Sequence, residues 1–313
     1  MKMQSRSVPL IGVVQDKICF SNAIDFLNLA HELECQWVEL KYEAALDHQY
    51  GLRNEAGTKI KRLANLYGIG LSVHAPYNDG LNLGHPDRKV REKTREQMMA
   101  CLEFCNIIGA SYLTVHGGFY ETEPNLLVGK KGRINNERIS IRDLVPKSHL
   151  DELKERVLTQ IDWLIGETKK LDLVVALENL HDFSNFKVRF PVTPSDFLVC
   201  KKVLGDKIQF VYDLGHGHST LFHINEFVDK VGDDRIAGTH LHDNNQIDDE
   251  HLPVGQGTVD FRGFLTKYIQ NGWKFPLNIE VKSYSDLIAS IKSLRELYME
   301  TEKKVYEKRG GSY

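Results

Sequence analysis

The apolar positions fall into short runs of four to seven residues, and longer stretches of helical periodicity separate them. Val8 to Val14 is the first run, and Ala23 to Leu33 after it carries a helical pattern, with Ser21 as its predicted cap. Gln36 to Leu40, Ile69 to Val73, Ser111 to Val115, Leu173 to Leu177, Ile208 to Tyr212, Arg235 to Leu241 and Phe275 to Ile279 read as further strands. Between them lie helical stretches at Ala56 to Tyr67, Pro86 to Ile108, Leu150 to Leu171, Pro194 to Leu204, Ile224 to Val231 and Asp260 to Asn271. Asp286 to Lys308 closes the series as a charged amphipathic helix. Gly68, Gly109 and Gly205 stand where helices should stop.

Eight strand-helix pairs in succession, with strands apolar throughout, predict a parallel sheet buried on both faces. That number closes into an α/β, (β/α)8 TIM barrel. An open doubly wound sheet would place a glycine-rich turn after the first strand, and GVVQDKICF has none. The reading is one domain over residues 1–313, with a long rim insertion at about 119–148 after strand four. That insertion mixes Lys130, Lys131, Arg133, Arg138, Arg142 and Lys147 with acidic residues and reads as a solvated lid.

Composition narrows the class. Forty basic and 43 acidic residues give a net charge of −3, so no global basic field draws in nucleic acid. The five cysteines, Cys19, Cys35, Cys101, Cys105 and Cys200, are odd in number and form no CxxC pair, which points to a reducing compartment. No apolar run suits a signal peptide or a membrane span, so the expected location is cytoplasmic.

The candidate chemistry sits where the strands end. His74, His116, Glu178, Asp213, His240 and Glu280 terminate six successive predicted strands. His216, Asp249 and His251 follow closely. The stretch from Thr239 to Gly257 is densest, with His240, His242, Asp243, Asp248, Asp249 and His251. Imidazole and carboxylate are the donors of Zn²⁺, Mn²⁺ and related divalent ions. A barrel brings strand ends together, and converging carboxylates repel one another unless a cation offsets them. The GQG at 255–257 reads as a tight turn rather than a phosphate cradle.

HAPY (74–77), LNLGHPD (81–87), TVHGG (114–118), ALEN (176–179), YDLGHGH (212–218), HLHD (240–243), DEHLPVGQG (249–257) and IEV (279–281) resemble the xylose-isomerase-like TIM-barrel superfamily. That superfamily includes the sugar and sugar-phosphate isomerases and epimerases, together with endonuclease IV (AP endonuclease family 2). Resemblance to the first branch implies one metal held by Glu178, Asp213, His240 and Glu280. In that branch Glu178 and Glu280 double as the catalytic acid/base pair, and His216 touches the sugar. Resemblance to the second implies that all nine strand-end residues hold three Zn²⁺ ions for hydrolysis of DNA at abasic sites.

Departures from the two patterns weigh against close kinship to either. The loop after strand two is not basic, as DNA entry would favour, and Ser184 and Gln246 stand where a ketose epimerase has glutamate and arginine. The expectation is a metal-dependent isomerase or epimerase of a small sugar-like substrate, with one to three Zn or Mn ions and no membrane partner. Tyr77 and Asn78 are candidate substrate contacts. The alternatives are a zinc-dependent abasic-site endonuclease, with DNA as partner, and a non-catalytic metal-binding barrel.

Overall fold

The computed structural model describes residues 9–16, 22–45, 53–77, 80–121, 133–134, 137–138, 140–182, 187–222, 224–246 and 248–308. Eight parallel strands close a barrel: β1 (Ile11–Val14), β2 (Trp37–Lys41), β3 (Gly70–His74), β4 (Tyr112–Val115), β5 (Val174–Glu178), β6 (Ile208–Asp213), β7 (Ile236–Leu241) and β8 (Leu277–Ile279). A helix follows each: α1 (Ala23–Glu32), α2 (Arg53–Tyr67), α3 (Arg88–Ile108), α4 (Lys147–Thr168), α5 (Pro194–Leu204), α6 (Ile224–Val231), α7 (Phe261–Asn271) and α8 (Tyr284–Lys308). The predicted barrel and its order of elements are those observed. No helix among the described residues is long and apolar enough to cross a membrane.

Side chains alternate across each strand, so every second residue enters the barrel. The low layer holds Trp37, stacked on Tyr112 at 5.7 Å, and Asn278, which donates to the Tyr112 hydroxyl at 2.9 Å. Gly70 pairs with Trp37 because a Cβ there would come within 2.3 Å of the indole. Two residues further up, Glu39 accepts from Ser72 and Thr114. Two further again stand Lys41, His74 and His116. One parity therefore runs from apolar plug through polar layer to the barrel mouth. The opposite parity, with residues such as Val38, Val73, Leu113, Leu177 and Phe210, belongs to the main core that also takes in residues of the surrounding helices.

Boundaries differ from expectation where local chemistry intervenes. Asn22 caps α1, accepting from Ile24 and Asp25, while Ser21 lies outside the described residues. β8 starts at Leu277 because Pro276 has no N–H for the ladder. α4 starts at Lys147, directly after Pro146.

The rim segment 119–148 is not all loop. Gly118–Glu121 pairs antiparallel with Lys187–Phe190, and Arg133–Ile134 with Glu137–Arg138. Lys130 and Lys131 lie outside the described residues. Arg142 departs from the solvated-lid reading: it forms a two-pronged pair with Asp196, with both side chains largely buried. Asp196 also accepts from the Val192 and Thr193 amides and completes the capping box of α5. The rim is thus pinned to an outer helix by a short, nearly dry ion pair.

Burial disfavours the charged form of Asp196, but Arg142 and the backbone donors outweigh it and hold the carboxyl below its ordinary value. A lowered carboxyl contributes stability above the unfolded-state value near 4 and loses it as pH falls through the folded value. Arg142→Ala should cost about 3 kcal/mol in urea denaturation at pH 7, because Asp196 stays buried with only Lys154 nearby at 3.7 Å. The gap to wild type should shrink below about pH 4. A gap unchanged on acidification would show that the pair does not act through charge.

Candidate metal centre

Seven of the inward strands deliver a polar side chain to the C-terminal mouth: Lys41, His74, His116, Glu178, Asp213, His240 and Glu280 come from β2 to β8 or the residue just beyond. His216 follows on the short helix Leu214–Ser219, whose start is capped by Asp213. Asp249 and His251 arrive on the loop after β7. That loop is shaped by Asp243, which accepts from the amides of Asn244, Gly255 and Val259. Asp243 is therefore a brace, Asp248 is exposed, and the GQG stretch is a turn with Gly255 at φ 87°.

Glu178 stands at the middle. Its Oε2 lies 3.3 Å from His74 Nε2 and 3.1 Å from His116 Nε2. Its Oε1 lies 3.2 Å from His240 Nδ1. The same Nδ1 is 3.3 Å from Glu280 Oε2 and 3.8 Å from Asp213 Oδ2. To one side, Asp249 Oδ2 lies 3.2 Å from His251 Nε2 and 3.5 Å from His216 Nε2. All nine predicted residues meet in one mouth. The ligand atoms of His74, His116 and Glu178 lie within 4.8 Å of one another, as do those of Glu178, Asp213, His240 and Glu280.

The hydrogen-bond pattern tests whether these groups suit a cation. His74 Nδ1 contacts the Ala75 carbonyl at 2.9 Å, His216 Nδ1 the Asn179 carbonyl at 2.9 Å, and His251 Nδ1 the Glu280 carbonyl at 3.1 Å. A carbonyl only accepts, so each Nδ1 carries a proton and each Nε2 is the nitrogen turned to the site. His240 is turned the other way: Nε2 contacts Glu39 Oε1 at 2.8 Å, leaving Nδ1 facing three carboxylates. Glu178 Oε2, Asp213 Oδ2 and Asp249 Oδ1 are buried without a hydrogen-bond partner. Oriented imidazoles, orphaned carboxylate oxygens and hydrogen-bonded outer partners are what a divalent ion requires. The residues fit one.

Electrostatics agree. Burial raises the carboxyls of Glu178 and Glu280, yet His240 beside the first and Lys41 beside the second prevail and hold both well below the ordinary range. Burial likewise opposes charge on His240, but Glu178 and Glu39 carry it well above its usual value. The His240 imidazolium is the counter-charge that these carboxylates face.

The mouth opens into a cavity of about 380 Å³. Tyr77 lines it, its ring 4.4 Å from that of His116. Asn78 lies outside the described residues. Glu39, Lys41, His181, Arg189 and His242 also belong to the site or its wall and were not among the nine strand-end candidates. Lys41 and His242 were findable, since each lies two residues past an inward strand position. Arg189 was not, because it comes from the accessory strand pairing with Gly118–Glu121.

Residues 27–303 match the xylose isomerase-like TIM barrel family. An uncharacterised protein of Methanocaldococcus jannaschii is 26% identical over 252 residues, covering 80% of this chain and 77% of that one. A probable endonuclease 4 of Thermotoga petrophila is 25% identical over 227 residues, covering 66% of this chain and 68% of that one. The crystal structure of a D-tagatose 3-epimerase-like protein has the same fold, with a TM-score of 0.73 at 22% identity and coverage of 94% and 99%. Barrel, strand-end residues and sequence match agree, and the chain belongs to the xylose isomerase-like TIM barrel family.

Proposed function

We propose that this chain is a divalent-metal-dependent isomerase or epimerase of a small sugar-like substrate. The observation that carries the reading is the placement of Glu178 and Glu280. They reach the His240 Nδ1 position from strands three apart and both line the cavity. An ionised carboxylate can take a proton from a carbon, and the carboxyl that then holds the proton can return it, so two carboxyl groups around one bound molecule provide both the base and the acid. A cavity of about 380 Å³ lies within the roughly 300–1,000 Å³ of small-molecule sites. The likeness of fold to a D-tagatose 3-epimerase-like protein supports the reading.

Glu178, Asp213, His240 and Glu280 would hold the ion, and Zn²⁺ and Mn²⁺ both suit those donors. When bound, the ion supplies electrophilic polarisation of a carbonyl and its neighbouring hydroxyl. Glu280 and Glu178 take up and return the substrate proton. Lys41, 2.8 Å from Glu280 Oε1, keeps that carboxylate charged and in place. Glu39 fixes the His240 ring. Tyr77 closes one wall, and His216 reaches the substrate from another.

A second reading is favoured by one observation: Glu178 offers one oxygen to His74 and His116 and the other to His240. A carboxylate so placed suits a bridge between two ions. With His216, Asp249 and His251 the set would suit the three-ion hydrolysis of phosphodiesters, as the probable endonuclease 4 relative suggests.

Three measurements separate and test these readings. Glu280→Gln should lower isomerase or epimerase turnover by at least about 100-fold with little change in melting temperature, since shape is kept and the base is lost. Near-normal turnover would remove Glu280 from the chemistry. Glu39→Gln should weaken metal affinity about 10- to 100-fold while leaving the saturated metal content unchanged. A lost ion at saturation would make Glu39 a ligand instead. Abasic duplex DNA should bind weakly at physiological salt with a shallow salt slope, because few phosphates can be neutralised. Tight, steeply salt-dependent binding with nicking beside the abasic site would replace the first reading by the second.

A further inference from the structure

His242 is a fully buried histidine beside the mouth that neither reading uses. It lies just past the end of β7, two residues beyond His240. His74, His216, His240 and His251 each have one ring nitrogen tied to a carbonyl or to Glu39. His242 differs: no hydrogen-bond partner stands at its Nδ1, and its Nε2 faces carboxylates alone, with Asp213 Oδ1 at 3.1 Å. Folded proteins rarely leave a buried polar nitrogen unmet, so a ring held this way, facing carboxylates, is suited to a further partner.

The ring is firmly seated. It lies over Gly215, where a Cβ would approach its Cε1 to 1.9 Å, so only glycine leaves room for it. It stacks on the His251 ring at 3.9 Å and 12°. Its Nε2 is 3.1 Å from Asp213 Oδ1 and 3.6 Å from Asp249 Oδ1, and the latter oxygen is itself buried without a partner. The ligand atoms of His242, Asp249 and His251 lie within 4.8 Å of one another. His216 reaches the same Asp249 from the other oxygen, at 3.5 Å.

We propose that His242 is itself a metal ligand, holding a divalent ion together with Asp249 and His251. That position is separate from the one formed by Glu178, Asp213, His240 and Glu280, and the inference rests on the mouth being a divalent-metal site. Two imidazoles and one carboxylate are a recurrent donor set for zinc and for ferrous iron, and they leave coordination positions open. His242 Nε2 and the unpartnered Asp249 Oδ1, 3.6 Å apart, then gain the same partner. The nine strand-end residues hold no such role for His242, which makes it a tenth donor.

A rival role is positioning: an Nε2–H donated to Asp213 would orient that carboxylate and bind nothing. The full-length protein is loaded with Zn²⁺, dialysed, and its zinc measured per chain for wild type, His242→Asn, His242→Ala and His242→Cys. A thiolate is a zinc ligand, whereas Asn of similar bulk is a poor one. Both Asn and Ala variants should carry about one zinc fewer than wild type, and Cys should restore it. With Co²⁺, the Cys variant should add a thiolate-to-metal absorption absent from the others. Melting in chelator checks folding without reference to turnover. Equal zinc at saturation in the Asn and Ala variants, with affinity lowered about 10- to 100-fold, would establish the positioning role and overturn the proposal. Failure of the Cys variant to regain zinc while melting like wild type in chelator would overturn it as well. Neither result depends on isomerase activity, so the proposed reaction can fail while this ligand stands.

Discussion

Five carboxylates, Glu39, Glu178, Asp213, Asp249 and Glu280, are crowded into the mouth of one barrel. Their mutual repulsion in a poorly solvated space is the constraint that the surrounding residues answer. Lys41 offsets Glu280, and the histidine rings stand between the other acids. Removing one of these positive or proton-bearing groups leaves the carboxylates beside it less compensated in a poorly solvated space. The barrel can afford this arrangement because its lower half is conventional, with an aromatic and amide plug inside and aliphatic packing outside.

The architecture was legible in the sequence because βα repetition is a strong signal and because a parallel barrel imposes one rule on every strand. Residues of a single parity face inward, and the last of them lies at the mouth. Glu178, Asp213, His240 and Glu280 followed from that rule directly. Glu39 obeys the same parity, but its role as the clamp on His240 depends on which rotamer a ring adopts across the barrel, and spacing carries no such information. Lys41 obeys the parity rule yet is not a metal-ligand type, so a search for donors passed over it.

The rim resisted reading for a different reason. Its mixed charges look solvated one residue at a time, yet Arg142 is buried against Asp196 on a helix fifty-four positions away. Long-range pairing of that kind has no periodicity. The same holds for the antiparallel pairing of Gly118–Glu121 with Lys187–Phe190, which joins the loops after β4 and β5 and brings Arg189 to the cavity wall. Local pattern gives the frame, whereas contacts between connecting segments emerge only once the frame is closed.

The main-chain carbonyls behind His74, His216 and His251 have a further consequence. Each ring has one nitrogen permanently occupied by a backbone acceptor, so an added proton has a single place to go, the nitrogen that faces the site. At each of these rings a proton and a bound cation would meet at the same nitrogen, with no alternative tautomer to absorb the change. Acidification would not loosen the centre gradually by rotating rings. With an ion held at the proposed centre, its release would be tied to proton uptake at site-facing nitrogens, a coupling set by the backbone rather than by any exchangeable side chain.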